Sequence, residues 1–181
     1  MSHSFTVDAL NKIGDEAKKL GDAMSYLHKL GPIHLQWHHG AFATRRIGFL
    51  LFHYHVIENL KKCGGPAMFG GIKAYTPANF TAFGHPYDVA AKALKGDLNS
   101  LAAFSLEIEG WHNEAHMAIG MATGVNMMDP LTNINHVEFW RLHYFINAKF
   151  FQQLARYDPT GSNAQRIAKI EQLHHSDVGR I

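Results

Sequence analysis

Apolar residues recur at steps of three and four along most of the chain, which is the spacing expected of amphipathic helices. The first run predicts one helix over residues 6–29, with Thr6 as its N-cap and Gly31-Pro32 at its end. Further helices are predicted over residues 44–62, 88–95, 98–121, 135–157 and 164–173, the last with Ser162 as its cap. The middle of the 44–62 helix is apolar on nearly all sides, so we expect it to be central in the fold.

Residues 64–86 hold five glycines, three prolines and several aromatic residues. This composition predicts an irregular Gly/Pro-rich loop, and the aromatic residues indicate that it packs over another part of the protein. No stretch alternates with period two, as a half-buried strand would. We therefore predict an all-α protein, a helix bundle formed by a single domain that spans residues 1–181.

The composition argues against several classes of protein. The net charge is +2 and the 17 Lys+Arg residues are scattered, so nothing indicates a nucleic-acid partner. The N-terminal segment has no apolar block behind a basic leader, and no segment reaches the roughly 18 apolar residues of a membrane span. We expect a cytoplasmic protein, and the lone cysteine, Cys63, agrees with this. We also expect the methionines to fill gaps in the core.

Histidine is unusually frequent, at 14 of 181 residues. His112 and His116 are four apart in a predicted helix, so both side chains lie on one face and could bind one ion. His34 and His38 repeat that spacing. Each pair is followed by a histidine in a strongly apolar helix, namely His53 and His143.

The repeated pattern predicts two sets of three imidazoles, and therefore two metal ions inside the bundle. Ligation by nitrogen alone suits copper or zinc rather than magnesium or calcium. A zinc protease would need glutamate directly after the first histidine of such a pair, but Asn113 occupies that position.

The segments HNEAH and FWRLHYFIN resemble the second copper-binding half of the type-3 dicopper proteins, the tyrosinases, catechol oxidases and hemocyanins. Those proteins have His-Asn-x-x-His, then an aromatic pair, and then a histidine. FLLFHYHVIENL is similar to the tyrosinase phrase Phe-Leu-x-Trp-His-Arg, with Glu58 at the position of its acid. The resemblance covers about 60 residues, and it implies two copper ions with the six histidines as ligands: His34, His38, His53, His112, His116 and His143.

The chain also departs from that family. Asn147 stands where the family has Asp, Val137-Glu138 replaces Pro-x, and the gap from His38 to His53 fits neither tyrosinases nor arthropod hemocyanins. Two alternatives therefore stay open for the first copper, His39 in place of His38 and His28 in place of His34. Asn147 and backbone carbonyls are both candidates to fix the ligand rings.

The resemblance implies an oxidase that activates O2 to hydroxylate monophenols or to oxidise o-diphenols to quinones. Its substrate would be a small phenol, with Asn113 and a carboxylate, Glu109 or Glu107, holding a water that accepts the phenol proton. A homo-oligomer and a copper-delivery partner both stay open.

Three other functions compete with this one. Hemocyanins use the same ligands for reversible O2 binding. A di-iron bundle would use two Glu-x-x-His pairs and two further glutamates, and candidates exist in Glu109/His112, Glu171/His174, Glu58 and Glu138. The third is a helical binding module whose histidines are incidental.

Overall fold

The structure is a computed structural model, and it describes residues 3–39, 47–89 and 98–177. These residues form helices and no strand, which confirms the all-α prediction. A 3₁₀ turn covers Asn133–Asn135. The α-helices are α1 (His3–Leu20), α2 (Ala23–His38), α3 (Gly48–Lys62), α4 (Gly65–Met68), α5 (Pro77–Ala82), α6 (Leu98–Thr123), α7 (Val137–Tyr157) and α8 (Asn163–Asp177).

The first predicted helix is wrong in its bounds, because two helices occupy this region. Gly21 adopts a positive φ of 63°, which a residue with a side chain rarely does, and it ends α1. Asp22 then caps α2 by accepting hydrogen bonds from the backbone N–H groups of Met24 and Ser25. Thr6 lies inside α1 and does not cap it.

Pro32 does not end a helix, contrary to the prediction, and α2 continues through it to His38. Proline removes the hydrogen bond to the carbonyl four residues earlier, here that of His28. His28 is exposed, so water can reach that carbonyl. The extension of α2 beyond Pro32 is what places two histidines on a helix.

The central position predicted for the second run is confirmed in α3. Its apolar residues from Phe49 to Phe52 are almost fully buried, and α3 contacts α1, α4, α6 and α7. The predictions for α6, α7 and α8 agree with the structure to within a few residues. Ser162 caps α8 as predicted, since its Oγ accepts from the Gln165 backbone N–H. The helix predicted at 88–95 falls mostly outside the described residues.

The predicted irregular loop contains the two short helices α4 and α5. Thr76 and Asn79 form a capping box at the start of α5, which a reading of glycines and prolines alone overlooks. The loop does pack over the bundle, as its aromatic residues predicted. Phe80 is fully buried, and its ring lies 4.8 Å from the rings of both Trp111 on α6 and Phe145 on α7.

The methionines correct another prediction. Only Met127 is buried among the methionines that the structure describes, and the other five are exposed rather than filling the core. In the described ranges, no helix combines the length and the apolar character needed to cross a membrane.

Candidate metal centre

Four helices bring six histidines together in the interior. His34 and His38 project from α2, His53 from α3, His112 and His116 from α6, and His143 from α7. We call these six residues the histidine cluster. Within each i, i+4 pair the rings are close, with centroids 4.5 Å apart on α2 and 4.3 Å apart on α6.

The α3 and α7 histidines connect the two pairs. The rings of His53 and His143 are stacked, with centroids 4.5 Å apart. His53 lies 5.7 Å from His34, and His143 lies 4.9 Å from His112. The structure thus brings all six predicted ligands into one cluster rather than scattering them over the surface.

The rings are oriented by hydrogen bonds at Nδ1. His34 bonds the carbonyl of Pro130 at 2.7 Å, and His116 bonds that of Met127 at 2.6 Å. A carbonyl can only accept, so Nδ1 carries the proton in these rings and Nε2 has a free lone pair. The same holds for His53, which donates to the Phe49 carbonyl at 2.9 Å, and for His143, which donates to the Phe139 carbonyl at 2.7 Å.

His112 has a side-chain partner instead, since its Nδ1 lies 3.2 Å from the side-chain amide of Asn113. Its Nε2 lies 3.0 Å from Nε2 of His143, whose proton is at Nδ1. Nε2 of His143 therefore accepts a hydrogen bond when His112 is protonated at Nε2, and both Nε2 atoms offer a lone pair when His112 is protonated at Nδ1. A similar approach brings Nε2 of His38 to 3.0 Å from Nε2 of His34.

Two further Nε2 atoms, those of His53 and His116, are buried and have no hydrogen-bond partner. Buried polar atoms of folded proteins nearly always have a partner. Orphaned Nε2 atoms inside a cluster of imidazoles are the pattern that a bound metal would satisfy. By this criterion the residues fit a metal ion bound through Nε2.

Two groups of three histidines could each hold a metal ion. One is His34, His38 and His53, the trio predicted for the first metal ion. The other is His53, His112 and His143, which differs from the predicted second trio by having His53 in place of His116. His53 belongs to both groups, and His116 lies at the edge of the second, with its ring 5.5 Å from that of His143. Both groups offer only imidazole nitrogen, with no thiolate or carboxylate.

Burial keeps five of the six imidazoles neutral. Burial lowers the pKa of both His34 and His116 from 6.5 to about 4, against the opposing effect of their backbone hydrogen bonds. Burial also holds the pKa values of the other interior histidines, His53, His112 and His143, well below the usual range, with neighbouring histidines adding to the shift. Neutral imidazole is the form that binds metal.

An apolar shell surrounds the cluster. The ring of Phe139 stacks on His143 with centroids 3.9 Å apart, and Phe49 lies 4.6 Å from His53. Phe52 stacks between His34 and Trp37. These rings keep water from the imidazoles, and a metal held here would sit in a medium of low polarity.

The alternative ligands His28 and His39 are both exposed and lie outside the cluster. Other histidines have local partners. His55 pairs with Glu171 of α8, and His85 stacks on Trp111 with centroids 5.5 Å apart. His136 directly precedes α7 as its N-cap residue.

The proposed catalytic side chains lie beside His112 on α6. Asn113 is exposed and bonds the His112 ring, whereas Glu109, one turn earlier, is only 1% exposed. Glu107 is exposed on the outer face of the helix. Two of the four glutamates of the di-iron alternative pair elsewhere, Glu58 with Lys61 and Glu171 with His55.

Sequence reasoning missed the segment from Val125 to Asn133, which supplies the carbonyls of Met127 and Pro130. It approaches two helices at glycines. A Cβ on Gly31 would lie 2.6 Å from the Leu131 carbonyl oxygen, and one on Gly120 would lie 3.0 Å from that of Val125. Gly31 and Gly120 were the signal in the sequence that could have indicated this close approach.

Asn147 is buried but does not bond His143, whose partner is the Phe139 carbonyl four residues earlier. Backbone carbonyls therefore fix most of the rings, which was one of the two alternatives. Comparison of the chain with protein-family models, with curated proteins and with solved structures finds no match.

Proposed function

We propose that this protein is a dicopper oxidase that activates O2 and acts on small phenols. His34, His38 and His53 would hold one copper ion, and His112, His116 and His143 the other. Copper held there would supply O2 activation. An o-diphenol loses two electrons and two protons to become the o-quinone, and O2 is the electron acceptor that is reduced to water. A monophenol takes one oxygen atom from O2 and leaves as the o-quinone, while the other oxygen atom leaves as water.

The observation that supports this proposal best is the set of inward Nε2 lone pairs. His53 and His116 have buried Nε2 atoms without partners, and those of His112 and His143 face each other at 3.0 Å. Because the Nδ1 atoms are fixed by oxygen acceptors, the rings are arranged for an ion before it arrives. Incidental histidines would not need this orientation.

Copper is preferred to other metals for two reasons. The donor set is imidazole alone, which suits copper or zinc and disfavours a di-iron site with carboxylate ligands. Between copper and zinc, the resemblance of HNEAH and FWRLHYFIN to type-3 copper proteins favours copper.

The chain's own groups would support the reaction in two ways. The rings of Phe49, Phe52 and Phe139 exclude water and keep the imidazoles neutral. Asn113 and Glu109 are one helical turn apart, so they lie on the same face of α6. In this proposal Glu109 accepts the phenol proton through a water that Asn113 helps to hold.

The test is copper loading followed by turnover. We expect about two copper ions per chain, as two trios of imidazoles allow, and quinone formation from a small catechol in air, followed by absorbance. His143→Asn should abolish turnover, whereas His28→Asn, at an exposed site outside the cluster, should retain it. A fully loaded protein that neither consumes O2 nor forms quinone would reject the proposal.

Reversible O2 binding is the second candidate, and the burial of the cluster favours it. Five of the six histidines are at most 6% exposed, and only His38 is partly accessible. A passage to the buried cluster that is too narrow for a catechol still admits O2. Oxygen uptake that reverses under vacuum, without catechol turnover, would select this function.

A further inference from the structure

Methionine side chains dominate the exposed apolar surface. Seven large hydrophobic residues are exposed in the described ranges, and five of these are methionines. Three lie close together in sequence: Met117 at 52%, Met121 at 79% and Met128 at 60% exposed. We call these three residues the methionine patch. An exposed thioether gains nothing from burial, so packing does not explain these residues.

The patch is assembled from one helix and the segment that packs on it. Met117 and Met121 are four residues apart on α6, which places their Cβ atoms about 5–6 Å apart on one face. Met128 follows Met127, whose carbonyl accepts the hydrogen bond from His116, the residue before Met117. Gly120 lets this segment approach, because a Cβ there would lie 3.0 Å from the Val125 carbonyl oxygen.

We propose that Met117, Met121 and Met128 form a surface site for Cu(I) that receives the ion before it passes to the histidine cluster. Thioether sulfur is a soft, neutral donor that selects Cu(I) over harder cations. Methionine also reaches far on three rotatable bonds, so three side chains on neighbouring backbone can converge on one ion. This inference rests on the proposed copper function.

The position of the patch suits transfer to the interior. The backbone that bears Met128 also holds one histidine of each trio, through the carbonyls of Met127 and Pro130. Transfer is a ligand exchange in which Cu–S bonds break as Cu–N bonds to Nε2 form. The ion stays Cu(I) throughout the exchange.

The binding test uses the metal-free protein labelled with ¹³C at the methionine methyl groups. Ag⁺ serves as a redox-stable probe of soft-donor sites. We expect the methyl signals of Met117, Met121 and Met128 to shift together in the first equivalent. The exposed methionines Met24 and Met68, on other helices, are the internal control. If the methyl signals of the methionine patch do not shift, or shift no more than those of Met24 and Met68, the proposal is overturned.

The transfer test compares rates of copper uptake from a coloured Cu(I) chelator. A variant with leucine at all three patch positions keeps the apolar, helix-forming character, and Met24→Leu with Met68→Leu is its matched control. We expect the patch variant to reach the wild-type copper content about tenfold more slowly, and the control to load at the wild-type rate. Equal rates in both variants would overturn the transfer role.

The two tests also separate this inference from the proposed function. A wild-type chain whose histidines take up no copper would reject the proposed function and remove the destination of the transfer. The methyl titration would still show whether the methionine patch binds the ion. If the patch methyl signals do not shift with Ag⁺ in a chain whose histidines do bind copper, only this inference is overturned.

Discussion

His53 is the residue at which the two halves of the histidine cluster meet. It belongs to both groups that could hold a metal ion, and its ring stacks on that of His143. Its Nε2 has no other partner. A change at this position removes a ligand from either group, whereas a change at the edge of the cluster leaves at least one group intact.

We predict that His53→Asn lowers the copper content of the loaded protein to less than half of the wild-type value. Asparagine is polar and smaller, and its amide does not replace an imidazole ligand. Metal content measured by mass spectrometry on untagged protein checks this. The control is His28→Asn, the same substitution at an exposed histidine. Equal metal loss in both variants would contradict the prediction.

The buried imidazoles also predict the pH dependence of the metal-free protein. The pKa of His34 and of His116 is about 4 in the folded state against 6.5 as the ordinary value. Between these values the unfolded chain binds more protons, so the free energy of unfolding rises with pH. Stability is therefore fully present above pH 6.5 and is lost as the pH falls towards 4, by about 3 kcal/mol for one such histidine.

Urea unfolding at a series of pH values measures this slope. His116→Asn should flatten it, because one buried group no longer takes up a proton on unfolding in acid. His28→Asn should leave it unchanged, since that residue is exposed. If the slope of the His116 variant equals that of the wild type, His116 is not the source of the acid sensitivity.

At the scale of elements, the approach of the Val125–Asn133 segment to α2 decides how His34 is held. A methyl group on Gly31 would lie 2.6 Å from the Leu131 carbonyl oxygen, closer than atoms can pack. The segment would have to move, and the neighbouring Pro130 carbonyl that bonds His34 would move with it.

We predict that Gly31→Ala destabilises the protein by about 1–3 kcal/mol through this overpacking, and that it weakens copper binding. The matched control is Gly110→Ala, since a Cβ there meets nothing within 4 Å and the site is an exposed helix interior. The control should stabilise by about 0.5–1 kcal/mol. Denaturant unfolding and a chelator competition measure the two effects. If the free energy of unfolding of Gly31→Ala equals that of Gly110→Ala, the close approach of the segment to α2 is contradicted.

Sequence periodicity predicted the long helices because their burial repeats with the helical period. It failed where a local contact decided the outcome. The break at Gly21 and the passage of α2 through Pro32 depend on an Asp22 cap and on an exposed carbonyl, neither of which changes the apolar pattern. The short helix α5 depends on the hydrogen bonds of Thr76 and Asn79.

The candidate site was predictable to a similar degree. Spacing identified the pairs on α2 and α6, because i, i+4 residues share a face whatever the tertiary fold. The acceptors at Nδ1 were not predictable where they come from a distant segment, as Met127 and Pro130 do. The metal, its number and the reaction stay predictions, since the structure establishes only groups of histidines that could hold an ion.

For the whole molecule, the histidine cluster joins four helices through side chains that face one another. The orphaned Nε2 atoms of His53 on α3 and of His116 on α6 are unsatisfied polar groups in the interior. A bound metal would convert both unfavourable terms into ligand bonds. The ion would thus support the fold as well as the proposed chemistry.

We therefore predict that metal removal lowers the melting temperature. An ion that binds only the folded state at 100 times its dissociation constant stabilises by about 2.7 kcal/mol, which for a domain of this size shifts the melting temperature by about 5–10 °C. Calorimetry of copper-loaded and chelator-treated protein measures the shift. Zinc should give a similar shift without oxidation chemistry, because it also binds imidazole. His53→Asn should show less than half of the shift, and a wild-type protein with the same melting temperature in both states would show that the cluster holds no ion.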